Sequence, residues 1–219
     1  MARLVIFGAG DVAKLAHFYF ARDSEHRVEA FAVDQAYRKS DTFLGLPLVD
    51  FEEVRNLYPP GEFTMFIAVS YARMNRVRAA KYFQAKEFGY ELVSYVSSRC
   101  TCLTDFSIGD NCFILEDNTI QPFVRIGNNV TLWSGNHIGH DSIIEDHCFL
   151  ASHIVVSGHV HIHPYCFIGV NATLRNSVTI AAETLIGAGA VVMENTVPKG
   201  VYIPARSSLL ELKSDEIEL

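Results

Sequence analysis

Aliphatic residues recur at every sixth position through the second half of the chain. Between residues 108 and 192, each sixth residue is Val, Ile or Leu, without a gap. This spacing matches neither the period of about 3.6 residues of an α-helix nor the simple alternation of a strand. It is typical of a parallel β-helix, in which each six-residue unit supplies one short strand and one corner. The aliphatic positions are Ile108, Ile114, Ile120, Ile126, Leu132, Ile138, Ile144, Leu150, Val156, Ile162, Ile168, Leu174, Ile180, Ile186 and Val192.

A second set of inward positions precedes the aliphatic residues by two, because side chains alternate across a strand. One large and one small side chain per strand fit inside a narrow prism. If three hexads make one coil, residues 18 apart lie above one another. The inward residues of the second set are mostly small or slender: Cys112, Val130, Ser142, Cys148, Cys166, Ala172, Thr184 and Ala190.

The first part of the chain follows a different pattern, in which short apolar strands alternate with helices. Strands are predicted at residues 3–8, 27–33 and 63–69, with helices after the first and the third. This alternation predicts a parallel sheet in an α/β, Rossmann-like domain. Residues 35–47 are irregular and receive no assignment. We therefore expect two domains, a Rossmann-like α/β domain at residues 1–97 and a β-helix domain at residues 98–219.

The charge of the chain limits its partners. The 219 residues carry a formal net charge of −7. A surface that binds nucleic acid or an anionic membrane is normally basic, so we expect neither as a partner. No stretch approaches the roughly 18 apolar residues of a membrane span, and the N-terminal residues do not resemble a secretory signal. We expect a cytoplasmic protein.

A glycine-rich segment follows the first predicted strand and precedes a helical pattern. Residues 8–13 read Gly-Ala-Gly-Asp-Val-Ala, a match to G-x-G-x-x-A. Glycine lets the backbone approach a phosphate, and a helix N-terminus supplies N–H donors. Asp34, at the end of the second strand, stands where a ribose-binding carboxylate is expected. The motif indicates a site for a nucleotide or a nucleotide-linked sugar; the alternative is a tight structural turn in which Asp11 caps the helix.

Further polar residues lie at the predicted strand ends. Ser70, Asn75 and Arg76 follow the third strand, and they either face a nucleotide or are solvated residues at a helix start. A domain of this size leaves no room for a complete dinucleotide site. The candidate substrate-binding residues are Gly8, Gly10, Asp11, Val12, Asp34, Gln35 and Ser70.

His140 and Asp141 follow the inward Ile138 and fall at or near a corner of the predicted prism. A carboxylate beside an imidazole can orient the ring or raise its basicity, as a general base requires. One coil further lies Gly158, which should leave a gap beside the ring and expose a backbone N–H. A base and an N–H donor that face one gap form an acyl-transfer arrangement. The alternative is that His140 is an ordinary surface histidine.

With these motifs the chain resembles the left-handed β-helix hexapeptide acyltransferases. It is most similar to bacterial sugar acetyltransferases with a small N-terminal nucleotide-binding domain, which N-acetylate nucleotide-linked amino sugars. Close relatives of those enzymes O-acetylate sialic acid. The hexads and the His140-Asp141 pair in register with Gly158 carry the resemblance. It implies a homotrimer in which acetyl-CoA, the co-substrate, lies between neighbouring β-helices.

The resemblance also implies roles for individual residues. His140 would be the general base, Asp141 the carboxylate that raises its basicity, and Gly158 the glycine whose N–H holds the thioester oxygen. Phe149 stands where relatives have a histidine. The positions implied to contact acetyl-CoA are Phe149, Gly158, Val170 and Ala188.

Seven histidines lie between residues 137 and 163, which raises the question of zinc. Hexapeptide carbonic anhydrases bind zinc through a histidine spacing that this sequence lacks. His159, His161 and His163 alternate with inward residues, so we expect them on one outward face, in a solvated or intersubunit patch. The sequence therefore predicts no metal site.

Taken with the resemblance, the sequence indicates an acyltransferase. We expect acetyl-CoA-dependent N-acetylation of a nucleotide-linked amino-deoxy sugar, and a 4-amino sugar first, for surface glycan biosynthesis. Three alternatives stay open: an O-acetyltransferase acting on a sugar or on sialic acid, a non-catalytic nucleotide-sugar-binding scaffold, and a zinc carbonic anhydrase.

Overall fold

The computed structural model describes residues 2–102, 107–205, 207–209, 211 and 213–217. Its first part is a five-stranded sheet with the order β3-β4-β2-β1-β5, in which only β3 and β4 pair antiparallel. The strands are β1 (Arg3–Phe7), β2 (Arg27–Val33), β3 (Thr42–Phe43), β4 (Leu46–Asp50) and β5 (Phe63–Ile67). The helices are α1 (Asp11–Arg22), α2 (Val54–Leu57) and α3 (Arg76–Glu87), with 3₁₀ turns at Gln35–Tyr37 and Phe51–Glu53.

The two long helices cover opposite faces of this sheet, because alternate residues of β1 point to opposite sides. Leu4 and Ile6 belong to the core that also contains Phe20 of α1. Val5 and Phe7 belong to the core that contains Tyr82 of α3. No helix in the described ranges is long and apolar enough to cross a bilayer.

Two strands of this sheet were not predicted: β3 lies within the unassigned residues 35–47, and β4 overlaps them. The longer of the two is β4. It pairs parallel with β2 and antiparallel with β3 through a two-residue turn. Leu44 and Gly45 both have positive φ there, 51° and 80°. Hairpin turns with two positive φ values usually carry Asn-Gly or Asp-Gly, so Leu-Gly gave no turn signal.

The second part is a parallel β-helix with three faces. Face 1 contains β6 (Tyr95–Val96), β9 (Phe113–Ile114), β12 (Thr131–Leu132), β15 (Phe149–Leu150), β18 (Phe167–Ile168), β21 (Leu185–Ile186) and β23 (Val201–Tyr202). Face 2 contains β7 (Thr101–Cys102), β10 (Thr119–Ile120), β13 (His137–Ile138), β16 (Val155–Val156), β19 (Thr173–Leu174) and β22 (Val191–Val192). Face 3 contains β8 (Ser107–Ile108), β11 (Arg125–Ile126), β14 (Ile143–Ile144), β17 (His161–Ile162) and β20 (Thr179–Ile180).

The chain visits the three faces in turn, so it makes three corners in each coil. We call them corner 1–2, corner 2–3 and corner 3–1, after the faces that they join. Paired residues in successive coils are 18 apart, as in Ile120 opposite Ile138. The predicted coil of three hexads is therefore confirmed. The first rung of face 1, β6, lies just before the expected boundary at residues 97–98.

The core of the β-helix consists of the two predicted sets of inward residues. Every hexad aliphatic residue is buried except Ile108, which is half-buried near the start of the β-helix. All eight predicted small or slender inward residues are buried as well. Cys112, Val130, Cys148 and Cys166 form the expected column, each fully buried.

A left-handed residue occupies each corner between residues 111 and 189. Such residues cost roughly 1–2 kcal/mol when they are not glycine, and Asn and Asp adopt this conformation more readily than other side chains. Here bulky residues adopt the left-handed conformation as well, although no turn signal in the sequence indicates it. The left-handed corner residues are Asn111, Asp117, Phe123, Asn129, Gly135, Asp141, His147, His153, His159, Tyr165, Asn171, Ser177, Glu183 and Gly189.

The two parts of the chain are joined by a buried arginine. Arg78 of α3 is only 3% exposed. Its guanidinium donates to the Thr131 hydroxyl, to the Asn129 carbonyl at 2.6 Å and to the Cys148 carbonyl at 3.2 Å. Burial lowers the pKa of Arg78 to about 10, which leaves it charged near neutral pH. A buried charge held by three acceptors fixes α3 against the β-helix.

A column of corner side chains continues this junction. Asn111, Asn129 and His147 lie one above another at corner 3–1, and all three are buried. The Asn111 amide donates to Asn129 Oδ1 at 2.8 Å, and the Asn129 amide lies 2.9 Å from His147 Nδ1. The other end of the column accepts the Ile67 N–H of β5 at 2.7 Å. The His147 ring packs against Tyr82 of α3.

We predict that His147 makes the protein sensitive to acid. Burial lowers the pKa of His147 to about 4, whereas an unfolded histidine titrates near pH 6.5. Between these values the unfolded chain binds more protons than the folded chain. The free energy of unfolding should therefore fall by up to about 3 kcal/mol as the pH drops from about 6.5 to 4.

The measurement is denaturant unfolding of the wild type and His147→Asn across that pH range. The variant should lose this component of the pH dependence, because asparagine tolerates the left-handed corner but does not titrate. His153→Asn is the matched control, since His153 occupies another left-handed corner and is exposed. An unchanged pH slope in His147→Asn would contradict the prediction.

Candidate active site

The carboxyl ends of β1, β2 and β5 border a cleft of about 560 Å³ at the N-terminus of α1. This volume is in the range of small-molecule sites. Six of the seven predicted substrate-binding residues line it, and Gln35 does not. The cleft is lined by Phe7, Gly8, Ala9, Gly10, Asp11, Val12, Val33, Asp34, Tyr37, Lys39, Ala68, Val69, Ser70, Val77 and Lys81.

The surroundings of Gly8 and Gly10 in the motif differ. Gly8 has φ +129°, and a Cβ there would lie 2.6 Å from the Ala68 carbonyl oxygen. It is therefore required by the close approach of the chain after β5. A Cβ at Gly10 would meet nothing within 4 Å, so Gly10 faces open space beside the helix N-terminus. The alternative of Asp11 as the helix cap is wrong, because Gly10 occupies that position and no side chain caps the helix.

Asp34 is held at the mouth of the cleft by a lysine that the sequence analysis missed. Its carboxylate forms an ion pair with Lys81 of α3, whose Nζ also lies 2.9 Å from Gln84 Oε1. The Lys81 side chain is only 19% exposed, and its Nζ lies over the rings of Phe7 and Phe51. Gln35 points away into a neighbouring depression, and its backbone N–H donates to Glu52. The prediction of Gln35 in the cleft is therefore wrong, because the 3₁₀ turn after Asp34 redirects the chain.

The other two polar residues considered after β5 serve the domain junction. Asn75 is fully buried, and its amide donates to the Cys166 carbonyl at 3.2 Å. Arg76 pairs with Glu183 of the β-helix at 2.6 Å. Neither residue lines the cleft. Arg76 is exposed at the first residue of α3, so the solvated interpretation holds for it, whereas the buried Asn75 fits neither interpretation.

A second, apolar pocket of about 340 Å³ adjoins the cleft on face 1 and corner 1–2. Its floor is aromatic, with Phe149 and Phe167 stacked at 5.7 Å and Tyr71 against both at 4.9 Å. Ser70 lines the cleft and Tyr71 lines this pocket, so consecutive residues border the two spaces. The pocket is lined by Tyr71, Trp133, Phe149, Ala151, Ser152, Phe167, Gly169, Val170 and Ala188.

Three of the four residues implied to contact acetyl-CoA thus come together, and the fourth does not. Phe149, Val170 and Ala188 share the apolar pocket. Gly158 follows β16 and therefore lies at corner 2–3, on another edge of the prism. The sequence analysis missed Tyr71, Trp133 and Phe167, because nothing in the hexad pattern shows which outward residues the N-terminal domain covers.

His140 stands at corner 2–3 with its ring partly exposed to solvent. Its Nδ1 lies 2.8 Å from Asp141 Oδ2, and the exposed fractions of the two side chains are 49% and 41%. Its backbone N–H donates to Gln121 Oε1 at 2.9 Å, which fixes the corner. With the Nδ1 proton held by the carboxylate, Nε2 carries a lone pair and can accept a proton. This is the geometry of a general base and its orienting carboxylate.

Gly158 lies in register with His140, as the coil length predicts. A Cβ at residue 158 would be 2.7 Å from His140 Nε2 and 2.9 Å from Cε1. The expected gap is thus filled by the imidazole itself, so the prediction of an empty gap is wrong. Within the described part of the chain, the Gly158 N–H donates to no protein acceptor. The unpaired Gly158 N–H and the His140 imidazole therefore belong to the same corner of the prism.

His159 completes this corner, and the expectation that it shares one face with His161 and His163 is wrong. The His159 ring meets His140 edge to face at 4.9 Å, and its Nε2 lies 3.9 Å from Asp141 Oδ2. His159 occupies the left-handed corner position one coil beyond Asp141. Its side chain therefore leaves the corner and does not share the face of the strand that carries His161. The three side chains could also ligate a cation.

Comparison with known proteins identifies the repeat. A family model for the bacterial transferase hexapeptide (six repeats) matches residues 107–140 and 123–158. A curated relative, the acyl-[acyl-carrier-protein]–UDP-N-acetylglucosamine O-acyltransferase of Nautilia profundicola, is 32% identical over 102 residues. This alignment covers 43% of the chain and 39% of the relative. The chain thus aligns with about two-fifths of the length of the curated relatives it matches.

Solved structures match nearly the whole chain. A variant of perosamine N-acetyltransferase from Caulobacter crescentus, in complex with CoA and GDP-perosamine, gives a TM-score of 0.81 at 22% identity, over 93% of this chain and 94% of its own. The acetyltransferase domain of PglB from Neisseria gonorrhoeae gives 0.81 at 21% identity, over 93% and 97%. These likenesses confirm the predicted fold class, an α/β domain followed by a left-handed β-helix.

We predict that Gly158→Ala displaces the His140 ring without unfolding the chain. The backbone at Gly158 lies outside the left-handed region, so alanine fits the corner. The added methyl group would overlap Nε2, and the ring can yield only by leaving Asp141. Imidazole nitrogen NMR should show the hydrogen-bonded Nδ1–H of His140 in the wild type and its loss in the variant. Gly10→Ala, whose Cβ meets open space, should leave it in place; retention in Gly158→Ala would refute the overlap.

Proposed function

We propose that the chain is an acetyl-CoA-dependent N-acetyltransferase of the hexapeptide-repeat type, whose family model matches part of the β-helix. The acceptor is a nucleotide-linked amino-deoxy sugar, a 4-amino sugar first, used in surface glycan biosynthesis in the cytoplasm. The observation that carries this proposal is the Asp141–His140 pair beside the free N–H of Gly158. The complex of a structurally similar protein with CoA and GDP-perosamine supports the same substrate classes.

The chemistry of the pair suits amide formation from an amine and a thioester. His140 Nε2 takes the proton of the sugar amine as the nitrogen attacks the acetyl carbonyl carbon, and Asp141 stabilises the imidazolium that results. The Gly158 N–H stabilises the negative charge that develops on the carbonyl oxygen. A carbon–nitrogen bond forms, the carbon–sulfur bond breaks, and His140 returns the proton to the departing sulfur. The reaction is balanced without a further reactant.

The cleft and the apolar pocket accommodate the two substrates. Open space at Gly10 and the N–H groups at the start of α1 suit a diphosphate, and Lys39 and Lys81 add positive charge. Asp34 then faces the nucleoside. A sugar that extends past Ser70 reaches the aromatic floor at Tyr71, where an acyl chain and its thioester can lie against Phe149.

The separation of the two corners leads us to propose a homotrimer. The apolar pocket lies at face 1 and corner 1–2, whereas His140 and Gly158 lie at corner 2–3 of the same prism. A β-helix cannot fold one edge onto another, so a single chain does not bring its own base to its own pocket. A neighbouring copy can supply that base at corner 1–2. Acetyl-CoA would then lie between neighbouring β-helices.

We predict that His140→Ala lowers kcat for acetyl transfer by about 10²-fold or more, because proton removal in the transition state is lost. The assay follows thiol release from acetyl-CoA with a nucleotide-linked 4-amino sugar as acceptor. His137→Gln is the control, since His137 lies on the strand before the corner and outside the cluster. Full activity of His140→Ala would remove this residue from the mechanism. Transfer only to the matching hydroxyl sugar would instead favour the O-acetyltransferase.

A thermal-shift panel should identify the nucleotide. UDP-, GDP- and dTDP-linked 4-amino sugars are tested with and without acetyl-CoA. A ligand at about 100 times its Kd stabilises the native state by about 2.7 kcal/mol, so the matching nucleotide should raise Tm clearly. Asp34→Asn should reduce the shift with the nucleotide sugar and keep the shift with acetyl-CoA. If no nucleotide sugar shifts Tm, the proposed acceptor class is wrong; binding of both ligands without turnover would support the scaffold.

A further inference from the structure

A second histidine cluster lies on face 3 and corner 3–1, at a different corner of the prism from His140. We propose that Glu145, His161 and His163 form a binding site for a divalent late first-row transition metal, with Zn²⁺ as the preferred ion. His161 Nε2 lies 2.5 Å and His163 Nδ1 3.2 Å from the same oxygen, Oε1 of Glu145. All three ligand atoms lie within 4.8 Å of one another.

The strand geometry brings the two imidazoles together. His161 is the outward residue of β17, and His163 comes two residues later, so both side chains leave the same side of the chain. Their ring centroids are 4.2 Å apart and the ring planes differ by 30°. A His-x-His pair of this kind is a ready chelate, because both nitrogens reach one point in front of the strand.

The carboxylate comes from the preceding coil. Glu145 follows β14, and residues 145 and 163 are 18 apart, so His163 stacks directly on Glu145 as Ile144 pairs with Ile162. The backbone at both positions is fixed by ladder hydrogen bonds, from Glu145 to Ile162 at 2.8 Å and from His163 to Ile180 at 2.9 Å. Ligands on a fixed backbone need little reorganisation when the metal binds.

The distances fit a tetrahedral ion after a small adjustment. Zinc bonds of about 2.0–2.2 Å to nitrogen and oxygen imply ligand separations of roughly 3.3–3.5 Å. The contact of His163 with Glu145 is already near this value. The contact of His161 must open by about 1 Å, and rotation of the side chains allows this because all three are about one-third exposed.

The donor set selects the ion. Two imidazoles and one carboxylate match zinc sites that keep an open position for water, and imidazole favours late first-row metals over Mg²⁺ or Ca²⁺. The neighbours in register, Gly127 beneath Glu145 and Ala181 above His163, are small and uncharged. A metal here would tie two successive coils together and stabilise the folded state.

The test is Zn²⁺ titration of the chelator-treated full chain by calorimetry, with Co²⁺ absorption to report imidazole ligation. We expect one ion per chain and a rise in Tm with Zn²⁺. Mutation of a residue that only hydrogen-bonds to a metal ligand lowers the metal affinity about 10- to 100-fold. We therefore expect His161→Gln and His163→Gln each to lose about 100-fold or more, and Glu145→Gln to weaken binding as well.

Matched controls separate this site from the corner at His140. His159→Gln and His137→Gln should keep both the Zn²⁺ affinity and the Tm rise. Zinc that survives the His161→Gln/His163→Gln double variant and disappears in His159→Gln would place the metal at corner 2–3 and overturn the proposal. No Zn²⁺ binding and no Tm rise in the wild type would also overturn it and leave an ion-pair cluster only. Circular dichroism confirms that these surface variants fold.

Discussion

The structure depends on closure of the β-helix after 18 residues through left-handed corners. Each corner forces one residue into a conformation that costs roughly 1–2 kcal/mol unless it is glycine, and the ladder hydrogen bonds and buried hexad residues offset that cost. Because the coil length is fixed, residue identity at one position determines what lies one coil away. The stacking of Gly158 against His140 follows from this rule, and so does the buried column of Asn111, Asn129 and His147.

The junction between the two parts sets the position of the N-terminal domain on the β-helix. Arg78 and the corner column hold α3 and β5 against face 1, so the N-terminal domain cannot swing freely over the β-helix. The cleft and the apolar pocket therefore keep a fixed position relative to each other, with the consecutive residues Ser70 and Tyr71 at their borders. Burying a guanidinium costs free energy unless its hydrogen-bond acceptors are in place. Arg78 therefore favours the one placement of the two domains that brings its acceptors within reach. We infer that substrate placement depends on these contacts.

The sequence predicted what periodicity governs and missed what tertiary contacts decide. The hexads gave the core, the coil length and the register of His140 with Gly158, because each is a matter of spacing. They could not show that the imidazole fills the space beside Gly158, since a rotamer decides that. Lys81 lies 47 residues from Asp34, and Arg78 donates to two carbonyls and a hydroxyl that lie 51 to 70 residues further along the chain. No local pattern therefore revealed either residue. Gln35 was predicted to bind substrate, but the 3₁₀ turn that begins directly after Asp34 keeps it out of the lining of the cleft.

The same stacking rule produces two carboxylate–histidine arrangements with different consequences. Asp141 and Glu145 each have a histidine one coil further, His159 and His163. At corner 2–3 the carboxylate oxygen is already engaged by the adjacent His140 at 2.8 Å, so His159 stays at 3.9 Å and Nε2 of His140 remains free to accept a proton. At corner 3–1 no histidine is adjacent in sequence, and both imidazole nitrogens converge on one oxygen. The looser cluster at corner 2–3 leaves one imidazole nitrogen for proton transfer, whereas the tighter cluster at corner 3–1 suits a cation. The difference depends on whether the carboxylate stands at the left-handed corner residue or four positions later, where the strand ends.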